Sequence, residues 1–255
     1  MARSMPPKAV LQRLPGASAH TRARWSPGLA LLSCAVALAA DGCGGDHPAR
    51  SALPPVEPDL VCLRSLGEQH ISYRTTDPVG DVRTPVEPQG PVNGIRLTAR
   101  AGRPPIMDCE LLRALDEAAP VLRRAGIDEL SFSGAYDYRT RHGSTRLSQH
   151  AFGLAIDVHV FRGPGGELNV ARDFEKGAGA WRGLVTRNGD LAGCIGTPRT
   201  SKGRRLRRLV CELKHHSAFR VIVTPDDDAD HRDHIHLEAF PDAEARIARV
   251  MGTFQ

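Results

Sequence analysis

The chain has 255 residues, enough for one domain with extensions, and its 41% hydrophobic and 25% charged content is ordinary for a globular protein. Of the formal charge of +5, +4 falls in residues 1–42, where Arg3, Lys8, Arg13, Arg22 and Arg24 face only Asp41; the remainder holds 29 basic and 28 acidic residues. That distribution argues against a nucleic-acid-binding face, and the basic run Lys202 to Arg208 also lacks interleaved aromatics.

The first 42 residues read as a signal peptide. A basic stretch ends at Arg24, an uncharged apolar run follows from Gly28 to Ala40, and Ala40-Asp41-Gly42-Cys43 closes it. The run is too short to span a bilayer. Gly42-Cys43 resembles the cleavage box of bacterial lipoproteins, which implies acylation of Cys43 and a membrane anchor; plain secretion is the alternative. Residues 43–61, rich in Pro, Gly, Ala and Asp, read as a tether. With Cys34 in the leader and Cys43 at its end, Cys62, Cys109, Cys194 and Cys211 remain. In an exported chain they predict two disulfides with three pairings open. No two of them have the C-x2-4-C spacing of a structural zinc site.

Six prolines between residues 74 and 105 predict an extended, irregular stretch. Asp108 caps a predicted helix from Cys109 to Gly126, kinked near Pro120. A strand Glu129–Ser133 and a long loop, Gly134 to Ala151, follow. Leu154–Phe161 reads as a strand, and Glu167–Val170 pairs back on it as a hairpin. Lys202–His216 is a basic helix with Leu206, Leu209, Val210 and Leu213 on one face. Strands Phe219–Val223 and His234–Ala239 flank an acidic loop, and a helix over Asp242–Met251 ends the chain. The expected fold is α+β: a small, mainly antiparallel sheet with flanking helices.

Two segments carry chemistry. In Ser148-Gln149-His150-Ala151-Phe152-Gly153-Leu154-Ala155-Ile156-Asp157, strand alternation puts Leu154, Ile156, Val158 and Val160 on an apolar face. Asp157 points the other way, with Ala155 and with His159 toward the far end. A carboxylate there needs a partner, and a metal ion is one candidate. In His231-Arg232-Asp233-His234-Ile235-His236-Leu237-Glu238, the same alternation sets His234, His236 and Glu238 opposite Ile235 and Leu237.

The pattern S-x-H-x6-D followed by H-x2-H-x-H resembles the zinc D-Ala-D-Ala carboxypeptidases and murein endopeptidases. More narrowly, residues 60–240 resemble the bacterial extensin-like C-terminal domain family, through Gly134-Ala135-Tyr136 with Arg139, Arg146 to His150, Ala155-Ile156-Asp157, Val223 to Asp226 and His231 to His236. The resemblance implies a domain over residues 62–255, with Zn2+ held by His150, Asp157 and His236. It implies His234 as general base, where many relatives use glutamate, with His231 in support. Arg139, and Ser148 near the metal, are the expected substrate contacts. The family pattern has a cysteine where Tyr138 stands, which leaves Cys194 to pair with Cys211 and Cys62 with Cys109. The expected activity is hydrolysis of peptidoglycan stem or cross-link peptides by a monomer facing the cell wall, as a periplasmic or membrane-anchored lipoprotein. The alternative is a wall-binding module that keeps the zinc fold without turnover.

Overall fold

The structure, a computed structural model, describes residues 57–102, 105–178 and 192–252. The leader, Cys43 and the tether up to residue 56 lie outside the described residues. Helix α1 (Leu60–Glu68) begins where the tether was expected to end, its first turn capped by Asp59, which accepts from the Cys62 amide.

The proline-rich stretch is more regular than expected. It contains strands β1 (Tyr73–Thr75), β2 (Pro85–Pro88) and β3 (Arg96–Ala99), followed by β4 (Met107–Asp108). β1, β2 and β4 form a small antiparallel sheet. Prolines stand only at the two ends of β2, where a missing amide costs least, while Val86 and Glu87 between them are buried.

Helix α2 (Cys109–Arg124) starts under the predicted cap: the Asp108 carboxylate accepts from the Glu110 amide at 2.9 Å. It runs on through Pro120. Its buried side, Leu111, Leu112, Leu115, Ala118, Ala119 and Leu122, has the helical period of an amphipathic stripe. Helix α5 (Ser201–His216) buries Leu206, Leu209, Val210 and Leu213 as its spacing predicted. The short helices α3 (Val170–Asp173) and α4 (Ala192–Ile195) precede it, and α6 (Ala243–Gly252) closes the chain.

The larger sheet contains β5 (Glu129–Ser133), β6 (Ala155–Gly163), β7 (Gly166–Asn169), β8 (Val221–Val223) and β9 (Ile235–Glu238). Its order is β3-β5-β6-β9-β8, with β7 also on β6. Only β3 with β5 is parallel, so the α+β, mainly antiparallel expectation holds at that level.

β6 departs from simple alternation. Phe132 of β5 faces Val158, while Ser131 faces Val160, so His159 is an extra, bulged residue. The bulge shifts the phase. Ile156, Val158 and Phe161 join the main apolar cluster, and Val160, expected on the core face, does not. The opposite edge of β6 is shared. β9 pairs with Ala155–Val158 and β7 with Val160–Gly163, and the two meet at His159.

Two disulfides, Cys62–Cys109 and Cys194–Cys211, pair as the family resemblance implied. Tyr138, standing in place of the family cysteine, is exposed. Disulfides are consistent with an extracytoplasmic location. No helix among the described residues is long and apolar enough to cross a membrane.

Candidate metal centre

The loop before β6 is built to deliver one histidine. Its arms form a short ladder, in which the Ser148 amide donates to the Arg139 carbonyl and the Arg141 amide to that of Arg146. A 3-10 turn (Gln149–Phe152) follows, with Ser148 as its cap accepting from the His150 amide. Gly153 ends the turn in the left-handed region, at φ 66°. There a Cβ would come within 2.8 Å of the Asp108 amide nitrogen, so glycine is required twice over. The turn buries His150 to 1% exposure with Nε2 facing β6.

β6 and β9 supply the rest by register. Asp157 and His236 are directly paired across the ladder, with side chains on the same face. Asp157 Oδ1 accepts from His236 Nδ1 at 2.8 Å, and Asp157 Oδ2 lies 3.2 Å from His150 Nε2. His150 Nε2 and His236 Nδ1 are 3.3 Å apart. Burial opposes ionisation of Asp157, but the hydrogen bonds to His150 and His236 outweigh it and hold the carboxyl well below the usual range. Burial likewise disfavours a charged His236, yet its hydrogen bonds to Asp157 and Glu238 push its pKa up to about 9.

Two imidazoles and a carboxylate gathered in this way could hold a metal ion, since one donor atom from each lies within 4.8 Å of the others. Four ligands set tetrahedrally at 2.0–2.1 Å from an ion stand about 3.3 Å apart. The two histidine nitrogens have that spacing, and Asp157 meets one histidine through each of its oxygens. On the far side of the His236 ring, Glu238 Oε2 lies 3.9 Å from Nε2, and Glu238 is itself paired with Arg220. A carboxylate behind a histidine fixes the orientation of the ring and raises its basicity as a ligand.

His234 precedes β9 and stands beside the trio. Its Nε2 is 3.5 Å from Asp157 Oδ1, and its Nδ1 lies 2.9 Å from the Asp233 carboxylate. A carboxylate accepts, so Nδ1 carries a proton, and Nε2 is turned toward Asp157 and the trio. His231 stacks near both, its ring 5.0 Å from His234 and 5.5 Å from His236, with Nδ1 on Asp228 at 2.6 Å. Arg139 stands half exposed at the rim, bonded to Asp137 at 2.9 Å with Nη2 3.9 Å from Asp157. His234 and His236 face a cleft of about 800 Å³ that is also lined by Arg139, Arg141, Arg146 and Ser148 and by Asp228, Asp230 and His231. His142, at the tip of the ladder, reaches across to Asp230 at 3.0 Å.

The residues read from the sequence as ligands, His150, Asp157 and His236, thus come together, with His231, His234 and Arg139 around them. The Ser148 hydroxyl is engaged in capping the His150 turn, although the residue also lines the cleft. His159, expected on Asp157's face at the far end of the strand, has partners that the sequence reading did not foresee. With Asp233 and His234 it forms a second group whose potential donor atoms all lie within 4.8 Å of one another and could hold a metal ion. Strand alternation put it on Asp157's face; the bulge that brings it beside His234 leaves no mark in a period-two pattern.

No family model, no curated protein and no solved structure matches the chain.

Proposed function

We propose that the protein is a zinc-dependent peptidase acting on peptidoglycan stem or cross-link peptides outside the cytoplasm. The observation that carries the reading is the gathering of His150 Nε2, the Asp157 carboxylate and His236 Nδ1, with contacts of 2.8 to 3.3 Å, beside His234 Nε2 and next to an open cleft that His234 and His236 line. Two imidazole nitrogens and a carboxylate beside a cleft are a donor set suited to catalytic zinc, which keeps a fourth position for water. The resemblance to the extensin-like and murein endopeptidase patterns supplies the substrate class.

When bound, zinc lowers the pKa of a water toward about 7 and polarises a carbonyl. His234 Nε2 accepts the proton of the attacking water as its oxygen bonds to the peptide carbonyl carbon. The Asp233 carboxylate holds the opposite N–H and stabilises the imidazolium that forms. His234 then returns the proton to the amine nitrogen as the C–N bond breaks. The guanidinium of Arg139, at the rim, orients a carbonyl or carboxylate of the substrate. Exposed Arg141 and Arg146 extend that basic wall.

The test is a pair of measurements on the purified chain: zinc content, and release of fragments from isolated peptidoglycan. One zinc per chain is expected, with release that stops on chelation and in His236→Ala. Release surviving both treatments overturns the reading. Tight binding to peptidoglycan with no release by the zinc-loaded parent favours a wall-binding module instead.

A further inference from the structure

His159 sits where three strands and the acidic loop meet. It is the bulged residue of β6, at the point where β9 ends its pairing and β7 begins. Its ring is 11% exposed, and both nitrogens are engaged. Nδ1 lies 3.1 Å from the backbone carbonyl of Asp233, and Nε2 lies 2.7 Å from Ser133 Oγ on β5.

A carbonyl only accepts, so Nδ1 carries a proton and donates to Asp233, while the Ser133 hydroxyl holds the ring at Nε2. From there the chain of contacts runs on. The Asp233 carboxylate accepts from His234 Nδ1 at 2.9 Å, and its other oxygen stands 3.9 Å from His159 Nδ1. Ser133 and the Asp233 carbonyl thus hold the His159 ring, and the carboxylate of the same Asp233 holds His234.

We propose that His159 is a positioning residue for His234: by holding the main chain of Asp233 it aims that carboxylate at His234 Nδ1 and so sets which edge of the ring faces Asp157 and the cleft. The inference rests on the peptidase reading for its kinetic consequence, but not for its structural one. A bulge in the central strand is the device that makes the contact, because it adds a residue on the site face without moving Asp157 out of register. As a second metal site the group is a poorer fit. His159 Nδ1 to Asp233 Oδ2 is wider than ligand spacing, and the Nδ1 proton is already committed to a carbonyl.

The test uses the full, zinc-loaded chain and compares His159→Leu, His159→Asn and Ser133→Ala. Zinc stoichiometry, kcat and KM on cross-linked muropeptides, and the His234 tautomer by long-range nitrogen–proton NMR are the readouts. His159→Leu lowers kcat by about 10- to 100-fold, the range seen on losing a supporting hydrogen bond. It leaves KM and the single zinc unchanged. Asn, whose side-chain N–H stands in for Nδ1–H, recovers most of the loss, and Ser133→Ala falls between. His234 reads as the Nδ1–H form in the parent and in the Asn variant, and as a mixture in the Leu variant. An unchanged His234 signal in His159→Leu overturns the proposal, as does a second zinc in the parent that this variant loses. Should the parent release no fragments, the peptidase reading fails by itself and the tautomer signal alone decides the role of His159.

Discussion

At the scale of single residues, the centre is organised around Asp157, which touches His150, His236, His234 and, more distantly, Arg139. Its neighbours along the chain are apolar and buried, so the carboxylate owes its ionisation to those cationic and N–H partners. Gly153 has an equally local task. It turns the chain out of the 3-10 segment while its carbonyl accepts from the Asp108 amide at 3.0 Å. Gly153→Ala therefore combines the left-handed penalty for a β-carbon, about 1–2 kcal/mol, with a collision against that amide. The variant is expected to lose at least that much stability in denaturant melts. Its zinc affinity, measured by competitive chelation, should fall as His150 shifts; an unchanged melt and affinity would show that the turn relaxes freely. The grouping of His150, Asp157 and His236 was legible in the sequence because apolar alternation put Asp157 and His236 on the polar faces of two strands. The face of His159 was legible in the same way, but its contacts with Asp233 and Ser133 were not, because they depend on strand pairing and a bulge that hydrophobic periodicity cannot register.

At the scale of elements, helix starts were the best-read features, since a cap is a local interaction written in adjacent residues. Asp108 before α2 is the clearest case. The same carboxylate also accepts from the Thr84 amide, which ties β2 to the helix start. Burial pushes its pKa up to about 6 against the two amide hydrogen bonds that lower it. The folded protein therefore retains a proton between pH 4 and 6 that the unfolded chain has released. Stability from this group is complete below about pH 4 and declines as pH rises through 6, by about 3 kcal/mol. Asp108→Asn keeps a capping oxygen and removes the titration. Its stability should be flatter than the parent's across pH 4–6 in urea melts, and an identical slope would place the proton elsewhere. Strands in the proline-rich stretch were illegible for a related reason. β2 owes its place to pairing with β1 and β4, distant partners that no local pattern announces.

At the scale of the whole molecule, the covalent links lie in the helical part. Cys62–Cys109 joins α1 to the start of α2 across 47 residues, and Cys194–Cys211 joins α4 to α5 across 17. The loop-closure argument assigns about 4 kcal/mol to the first and about 3 kcal/mol to the second. Replacing each pair by serines should lower stability in that order, read by chemical denaturation under oxidising conditions; the reverse order would point to structure persisting in the unfolded chain. Neither bridge reaches the metal centre. The acidic loop there is held instead by buried Arg207, whose guanidinium pairs with Asp226 at 2.9 Å and also donates to the carbonyls of Ile195 and Glu175. A mainly antiparallel sheet with flanking helices was foreseeable from helix and strand periods. The parallel placement of β3 beside β5 was not, since pairing direction is settled by the path of the intervening chain.

The pairing of β9 has a consequence for how firmly each donor is held. β9 is gripped by β6 over four residues and by the three-residue β8 on its other side, and its Ile235 and Leu237 are buried. Asp157 and His236 therefore keep their spacing through the backbone ladder itself, the stiffest part of the surroundings. His150 alone is delivered by a turn outside the sheet. Of the three donors it is the one whose place can be tuned by changing a loop, leaving the strands as they are.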